Sequence, residues 1–485
     1  MTRRLLFLYV AVTLGSGLAI ALGLHWGSGL EARTSKLLLA VNPQPAETGN
    51  SATAVLMDNF RHPLGLLLLQ LIVIIFLARV FGAFSQRLGQ PAVIGEIVAG
   101  IVLGPSLVGA MAPGVFEFLF APSSLSSLKL FAEIGVVLFL FVVGLELDLQ
   151  NLRHMAPTAL VVSHTSMLVP YALGVLLSLF LYRELAPTGV TFLAFALFMG
   201  IAMSITAFPV LARILADRRL TRTLLGTTAI TCAAVDDVTA WSVLAIVVAI
   251  GSAQGVAASI LTVVFTVLFT AMMVWGARPL LLRLFDAQGW SQAPGKTAMA
   301  AVLVLTLVSA LTTEIIGIHA LFGAFLAGVV MPRGPALRRI LTDRLEELSS
   351  VLLLPVFFAF TGLRTQVWLL SDTNGWPLCL LIIFVATFGK LGASMLAARL
   401  TFFDWIDAFA LGALMNTRGL IELIALNVGF ELGILSPRIF TMMVLMALVT
   451  TFATGPLLSL ADAFRRRRPP GHANGVERLT RTVDS

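Results

Sequence analysis

The sequence predicts an all-α polytopic membrane protein, with about thirteen core transmembrane helices plus one N-terminal helix, built as inverted repeats with a broken helix in each. Three observations carry that prediction. Of 485 residues, 58% are hydrophobic and only 12% charged, at a mean hydropathy of +0.97. The apolar residues gather in runs of about 20, the length that crosses hydrocarbon as a helix. Two of these runs, one in each half of the chain, are interrupted at mid-span by proline, glycine and polar residues.

The composition excludes whole classes. A soluble domain is about a quarter charged, and half that charge cannot cover a water-exposed surface of this size. A soluble enzyme, a nucleic-acid binder and a disordered chain all need polar surface. The net charge of +7 therefore reads as membrane topology rather than as a nucleic-acid partner. Cys232 and Cys379 both lie in apolar runs, which leaves no disulfide framework and no cysteine metal site. No nucleophile–base pair, metal cluster or phosphate loop is visible, so neither enzyme chemistry nor a cofactor is expected.

On the length rule the spans fall at 5–24, 64–84, 91–110, 127–147, 155–182, 189–216, 222–250, 256–284, 297–313, 317–332, 346–363, 376–400, 405–429 and 438–463, about fourteen helices. Residues 1–63 form the N-terminal helix and an outer loop, 64–463 the transmembrane domain, and 464–485 a short tail. The stretch after Thr2-Arg3-Arg4 is long for a signal peptide and lacks a clear small-x-small cleavage site, so it reads as a retained helix, with a cleaved signal peptide the alternative. Arginines set the orientation. Arg79, Arg87, Arg153, Arg213 to Arg222, Arg278, Arg283, Arg333 to Arg344, Arg399 and Arg465 to Arg468 fall in or beside alternate connections. The opposite connections carry Arg183, Arg364 and Arg438, with Lys129 at a helix edge. The arginine-rich side is cytoplasmic, and so is the C-terminus. The Arg465–Arg468 run reads as an anchor beside anionic lipid.

Function is carried by charge placed where charge is expensive. Asp236 and Asp237 are adjacent near the middle of the 222–250 run. Adjacent helical residues point about 100° apart, so one carboxylate can face a cavity while the other faces a neighbouring helix. The alternative is a pair of structural carboxylates matched to an internal cation. Lys390, midway along Phe388-Gly-Lys-Leu-Gly392, is too deep to reach the interface and is the natural partner. In Phe198-Met-Gly-Ile-Ala-Met-Ser-Ile-Thr-Ala-Phe-Pro209 the proline removes a backbone bond within the run, just after Ser204 and Thr206. A helix broken there leaves free carbonyls and a half-helix dipole for a small ion; a plain proline kink is the other reading.

The second half repeats the pattern. Met415-Asn-Thr-Arg-Gly-Leu-Ile-Glu422 interrupts the 405–429 run, with Arg418 and Glu422 four apart and able to pair. The two interruptions lie an odd number of spans apart, as inverted repeats require. The residues alone thus reach an ion-coupled secondary transporter with an acidic site around 204–209 and 236–237. Glu96, Glu133 and Glu146 read as scaffold or packing residues, with ion handling the alternative. His319 reads as a packing residue, with pH sensing the alternative.

Six stretches also resemble a known family: Gln90-Pro-Ala-Val-Ile-Gly-Glu-Ile-Val-Ala-Gly-Ile-Val-Leu-Gly-Pro-Ser106, Phe141-Val-Val-Gly-Leu-Glu-Leu-Asp148, Ser204 to Leu215, Asp236–Asp237, Gly317-Ile-His-Ala-Leu-Phe-Gly-Ala-Phe-Leu-Ala-Gly328 and Thr417-Arg-Gly419. Together they are similar to the monovalent cation:proton antiporter-2 family, over about residues 64 to 463. The resemblance implies about thirteen helices, broken helices that cross at the ion site, and a homodimer built on a scaffold domain in a bacterial inner membrane. It implies exchange of Na+ or K+ for protons by alternating access. Asp237 would exchange proton for cation and bind the monovalent metal ion. Asp236 would pair with Lys390, and Thr206 with nearby carbonyls, Ser204 among them, would help to ligate the ion. Asp236 stands where electroneutral members tend to carry Asn, which makes the chain look like the electrogenic bacterial type. Potassium-efflux members carry a cytoplasmic nucleotide-binding domain, which the short tail does not provide. A cation channel or a non-transporting sensor on the same fold is the alternative function.

Overall fold

The computed structural model describes residues 11–22, 62–146, 156–221, 223–252, 256–290, 295–332, 334–401 and 403–467, and every element among them is helical. That is what hydrocarbon demands, because a helix satisfies its own backbone polar groups within one segment. In chain order the main elements are α1 (Ala11–Leu22), α2 (Pro63–Arg87), α3 (Ala92–Leu103), α4 (Pro122–Glu146), α5 (Ala156–Leu185), α6 (Phe192–Ser204), α7 (Phe208–Asp217) and α8 (Leu224–Ser252). Next come α9 (Val256–Ala271), which continues through a π turn at Met272–Ala277 into α10 (Arg278–Ala287), then α11 (Lys296–Ile316) and α12 (Ala320–Val330). The chain ends with α13 (Pro335–Leu348), joined by a π turn to α14 (Leu354–Arg364), then α15 (Gly375–Thr401), α16 (Trp405–Met415), α17 (Leu420–Glu431) and α18 (Pro437–Arg466).

Each of the thirteen core segments predicted from the sequence coincides with helix, though not every one is a long helix. Among the described residues ten helices are long and apolar enough to cross a membrane, eleven if α16 and α17, bent by 41°, are one span. The runs at 317–332 and 346–363 give only short apolar helices, Ala320–Val330 and Val351–Arg364. The first is cut short at its start because Gly317 adopts φ +91° and turns the chain before α12. Of the N-terminal run, only Ala11–Leu22 lies within the described residues, and the outer loop and most of the tail lie outside them.

The internal repeat is visible in the packing. α2 packs on α3 as α11 packs on α12; α3 crosses α14 as α12 crosses α4; α5 packs on α6 as α15 packs on α16. Two of these crossings are glycine-mediated. A Cβ at Gly100 or Gly362 would run into the backbone of the facing helix, and Gly144 and Gly328 stand in the same relation. Small residues at such points let helices approach closely where no hydrophobic force drives them together. The motifs around Gly100, Gly144 and Gly328 are therefore packing signatures.

Two sets of helices result. One contains α2 to α4 and α11 to α14, and the other α5 to α8 and α15 to α18. The second set holds a deeply buried segment: along α6 every residue except Leu193 and Leu197 is buried. A helix that is apolar all round belongs inside a bundle, and α6 lies there.

Candidate functional site

The site begins with two interrupted helices. α6 stops at Ser204, Ile205 and Ala207 are extended, and α7 starts at Phe208 with Pro209 in its first turn. Proline suits that position, since its missing N–H would lack an intrahelical partner anyway. Pro209 thus starts a half-helix and does not merely kink a continuous one. In the other repeat, α16 stops at Met415 and α17 starts at Leu420.

The two breaks lie against each other. The Ala207 N–H donates to the Thr417 carbonyl (3.0 Å), and the Thr206 hydroxyl lies 3.2 Å from the Met415 carbonyl. A helix C-terminus leaves four carbonyls without intrahelical donors, and at the end of α6 all four are taken. The Ser204 hydroxyl donates to Ile201 O (2.9 Å), Arg418 Nη1 to Ala202 O (2.9 Å) and Arg418 Nη2 to Met203 O (2.7 Å). Lys390 Nζ donates to Ser204 O. Two cations therefore stand at the negative end of the α6 dipole, where positive charge is favoured. Arg418 also pairs with Glu422 (Nη1 to Oε1 3.2 Å), both fully buried.

The aspartates lie midway along α8, and both are fully buried. Asp236 is saturated. Its Oδ1 accepts from the Ser163 hydroxyl (2.5 Å), and its Oδ2 accepts from Ser166 (3.1 Å), Thr206 (2.7 Å) and Lys390 Nζ (3.2 Å). Asp237 is the opposite: neither carboxylate oxygen has a hydrogen-bond partner. Asn416, fully buried in the second break, likewise leaves both amide atoms unpartnered.

The residues singled out in the sequence are thus gathered at one crossing, in unequal roles. Asp236, Lys390 and Thr206 form one hydrogen-bonded cluster, and Arg418 and Glu422 form the adjoining pair. Ser204 contributes its carbonyl to Lys390, while its hydroxyl turns back on its own helix. Sequence reasoning missed Ser163 and Ser166, which fix Asp236 from α5. Their signal is an i, i+3 serine pair on one face of an apolar run.

Charge bookkeeping defines what the site can do. Among the described residues, five Asp, Glu, Lys and Arg side chains have zero exposure: Lys390 and Arg418 against Asp236, Asp237 and Glu422. With all five ionised the site carries one net negative charge. Uncompensated charge is not tolerated in such surroundings. One proton or one monovalent cation neutralises it, and Asp237 is the carboxylate with open acceptor positions.

Comparison with known proteins gives the family. The model of the sodium/hydrogen exchanger transmembrane family matches residues 72–460. The Na(+)/H(+) antiporter NhaS4 of Synechocystis is 42% identical over 394 residues, covering 81% of this chain and 96% of NhaS4. Cation/H(+) antiporter 17 of Arabidopsis thaliana is 38% identical over 86% of this chain and 51% of its own length, and K(+)/H(+) antiporter 1 of Saccharomyces cerevisiae is 33% identical over 84% and 48%. This chain thus spans nearly all of NhaS4 and about half the length of the plant and yeast relatives. In three dimensions it is similar to the sodium proton antiporter MjNhaP1 of Methanocaldococcus jannaschii, with a TM-score of 0.60 and 14% identity over 82% of this chain and 98% of that one.

Proposed function

We propose that this chain, which belongs to the sodium/hydrogen exchanger family, exchanges a monovalent cation, Na+ or K+, for protons as a secondary active transporter of the membrane it spans. The observation that carries the proposal is the single missing positive charge at a fully buried crossing, with Asp237 the one aspartate left without partners. Protonated, Asp237 is neutral and the site holds no cation. Deprotonated, it attracts one cation, ligated by its carboxylate with help from Thr206 and nearby carbonyls. Because proton and cation neutralise the same charge, each displaces the other, and that competition is the coupling.

Asp236 has a different part. Held by Ser163, Ser166, Thr206 and Lys390, it anchors Lys390 and shapes the electrostatics beside Asp237. The Arg418–Glu422 pair seals the end of α6 and holds the second break in place. Residues 64–463 make up the transporting domain, which works as a homodimer in a bacterial inner membrane with its C-terminus cytoplasmic, between the N-terminal 1–63 and the short tail 464–485. These assignments are supported by the arginine distribution and by the resemblance of the motifs.

Cation-driven proton movement in proteoliposomes tests the reading. The intact chain should move protons against their gradient when Na+ or K+ is supplied, and Asp237→Asn should abolish that movement. Lys390→Ala should lower exchange at least tenfold or change its voltage dependence. Downhill cation flow without proton movement would identify a channel, and full exchange by Asp237→Asn would remove Asp237 from its assigned role.

A further inference from the structure

Two small cavities share His319 in their walls, and their linings run from Trp241, one turn beyond Asp237 on α8, to Glu431 at the end of α17. The inner one, about 10 Å3, is bounded by Trp241, Leu244, His319, Leu321 and Val428. The outer one, about 20 Å3, is bounded by Lys129, Glu133, His319, Leu321, Val428 and Glu431, among others. Spaces of this size admit about one water centre each. Trp241 follows Asp237 by four residues on α8 and so occupies the same helix face. It is 3% exposed, its indole N–H has no partner, and its ring lies 5.8 Å from that of Phe325. From Asp237 outward the order is therefore Trp241, a one-water cavity, His319, a second cavity, and a charged mouth.

His319 is held in an unusual state. Its backbone has φ +78° and ψ 138°, in a region close to one that glycine alone occupies freely. The turn is pinned on one side by Gly317 at φ +91° and on the other by the Glu314 carboxylate, which accepts from the Ala320 N–H (2.8 Å). The imidazole Nδ1 is buried with no hydrogen-bond partner. A strained backbone that keeps a side chain with an unused ring nitrogen between two cavities is poorly explained by packing.

The mouth is closed by ion pairs between the two sets of helices. Lys129 on α4 reaches Glu431 on α17 (3.2 Å) as well as Glu133 (3.4 Å), and Arg364 on α14 binds Glu431 (2.9 Å) and Asn427 (2.8 Å). Two cations of one helix set thus grip a single segment of the other.

We infer that these elements form the closed leg of the ion route on the face at which α17 ends: Glu133 and Glu431 are its mouth, the bridges from Lys129 and Arg364 to Glu431 are its latch, and His319 is its constriction. A hydrated monovalent cation enters when the two helix sets part and the bridges open, and it passes the imidazole to reach Asp237. The inference rests on the exchange reading, and its test is chosen to fail separately from it.

Thiol accessibility in proteoliposomes reads the route without relying on exchange. Cys232 and Cys379 are fully buried, so the unaltered chain sets a low background. Leu321→Cys and Val428→Cys should react with a membrane-impermeant cationic thiosulfonate added on this face. The reaction should be at least tenfold faster than at Leu326→Cys, which is equally buried on the same helix but packs in a different cluster. Lys129→Gln should speed labelling at Leu321→Cys about threefold or more. Labelling no faster than at Leu326→Cys, or indifferent to Lys129→Gln, overturns the inference, and Val428→Cys decides the matter if Leu321→Cys does not assemble. His319→Gly, which the backbone accommodates, should shift the apparent KM at least threefold for cation supplied on this face and leave it unchanged for cation supplied on the other. Equal effects on both faces, or none, would overturn the role of His319. Absence of exchange by the unaltered chain with Na+, K+ and Li+ would instead refute the exchange reading, whatever the labelling shows.

Discussion

The two broken helices repeat one another in fold but differ in charge. The second break brings its own pair, Arg418 and Glu422, and Arg418 also donates from Nη1 and Nη2 to the carbonyls at the end of α6. The first break brings no charge and instead faces Asp236 and Asp237 from α8. A break whose charges are balanced internally is a structural joint. In the proposed function, a break that faces one carboxylate more than the neighbouring cations can neutralise is the binding site. The repeat thus supplies the same backbone device twice, and side-chain charge decides which copy handles ions.

Several substitutions would break or sharpen that contrast. The largest effect is expected from Asp237→Asn, which should lower cation-dependent proton flux by at least a hundredfold. It should leave the thermal midpoint in detergent unchanged or raised, since it removes a buried charge that has no partner. Glu422→Ala should do the reverse. It leaves Arg418 buried without its carboxylate, at a cost of about 3–5 kcal/mol, visible as a large fall in thermal or denaturant stability. If Glu422→Ala proved stable but inactive, the second break would have to be counted among the ion-handling residues. Ser163→Ala removes one hydrogen bond to a charged acceptor, worth roughly 1.5–3 kcal/mol. It should raise the apparent KM for cation several-fold without abolishing exchange, because Asp236 keeps three other donors. The smallest effect should come from Arg339→Ala. Its bridge to Asp343 joins side chains 83% and 67% exposed, so stability should stay within about 0.5 kcal/mol of the unaltered chain.

Much of this arrangement was legible in the sequence, for physical reasons that also explain what was not. Asp236, Asp237 and Lys390 stood out because ionisable groups at membrane depth are too costly to be incidental. Pro209 and Gly419 marked the breaks because they punctuate helices of any composition. Ser163 and Ser166 did not stand out, since a serine in an apolar helix satisfies itself on its own backbone and carries no obvious cost. Ser204 shows the same habit, its hydroxyl bonding Ile201 while its carbonyl meets Lys390. The exact limits of the short helices were less legible, because hydropathy does not mark a turn between apolar residues. Ile316 to Ala320 is largely apolar, but Gly317 and His319 both take positive φ there and end one helix before the next begins.

The central claim is that proton and cation compete for one net negative charge, and proton release on cation binding tests it most directly. Purified chain in weakly buffered detergent solution, titrated with the transported cation, should release up to one proton per chain, and cation affinity should fall about tenfold for each pH unit below the pKa of the site. In Asp237→Asn both the release and the pH dependence should disappear. Cation binding without proton release, or release that persists in Asp237→Asn, would contradict the account.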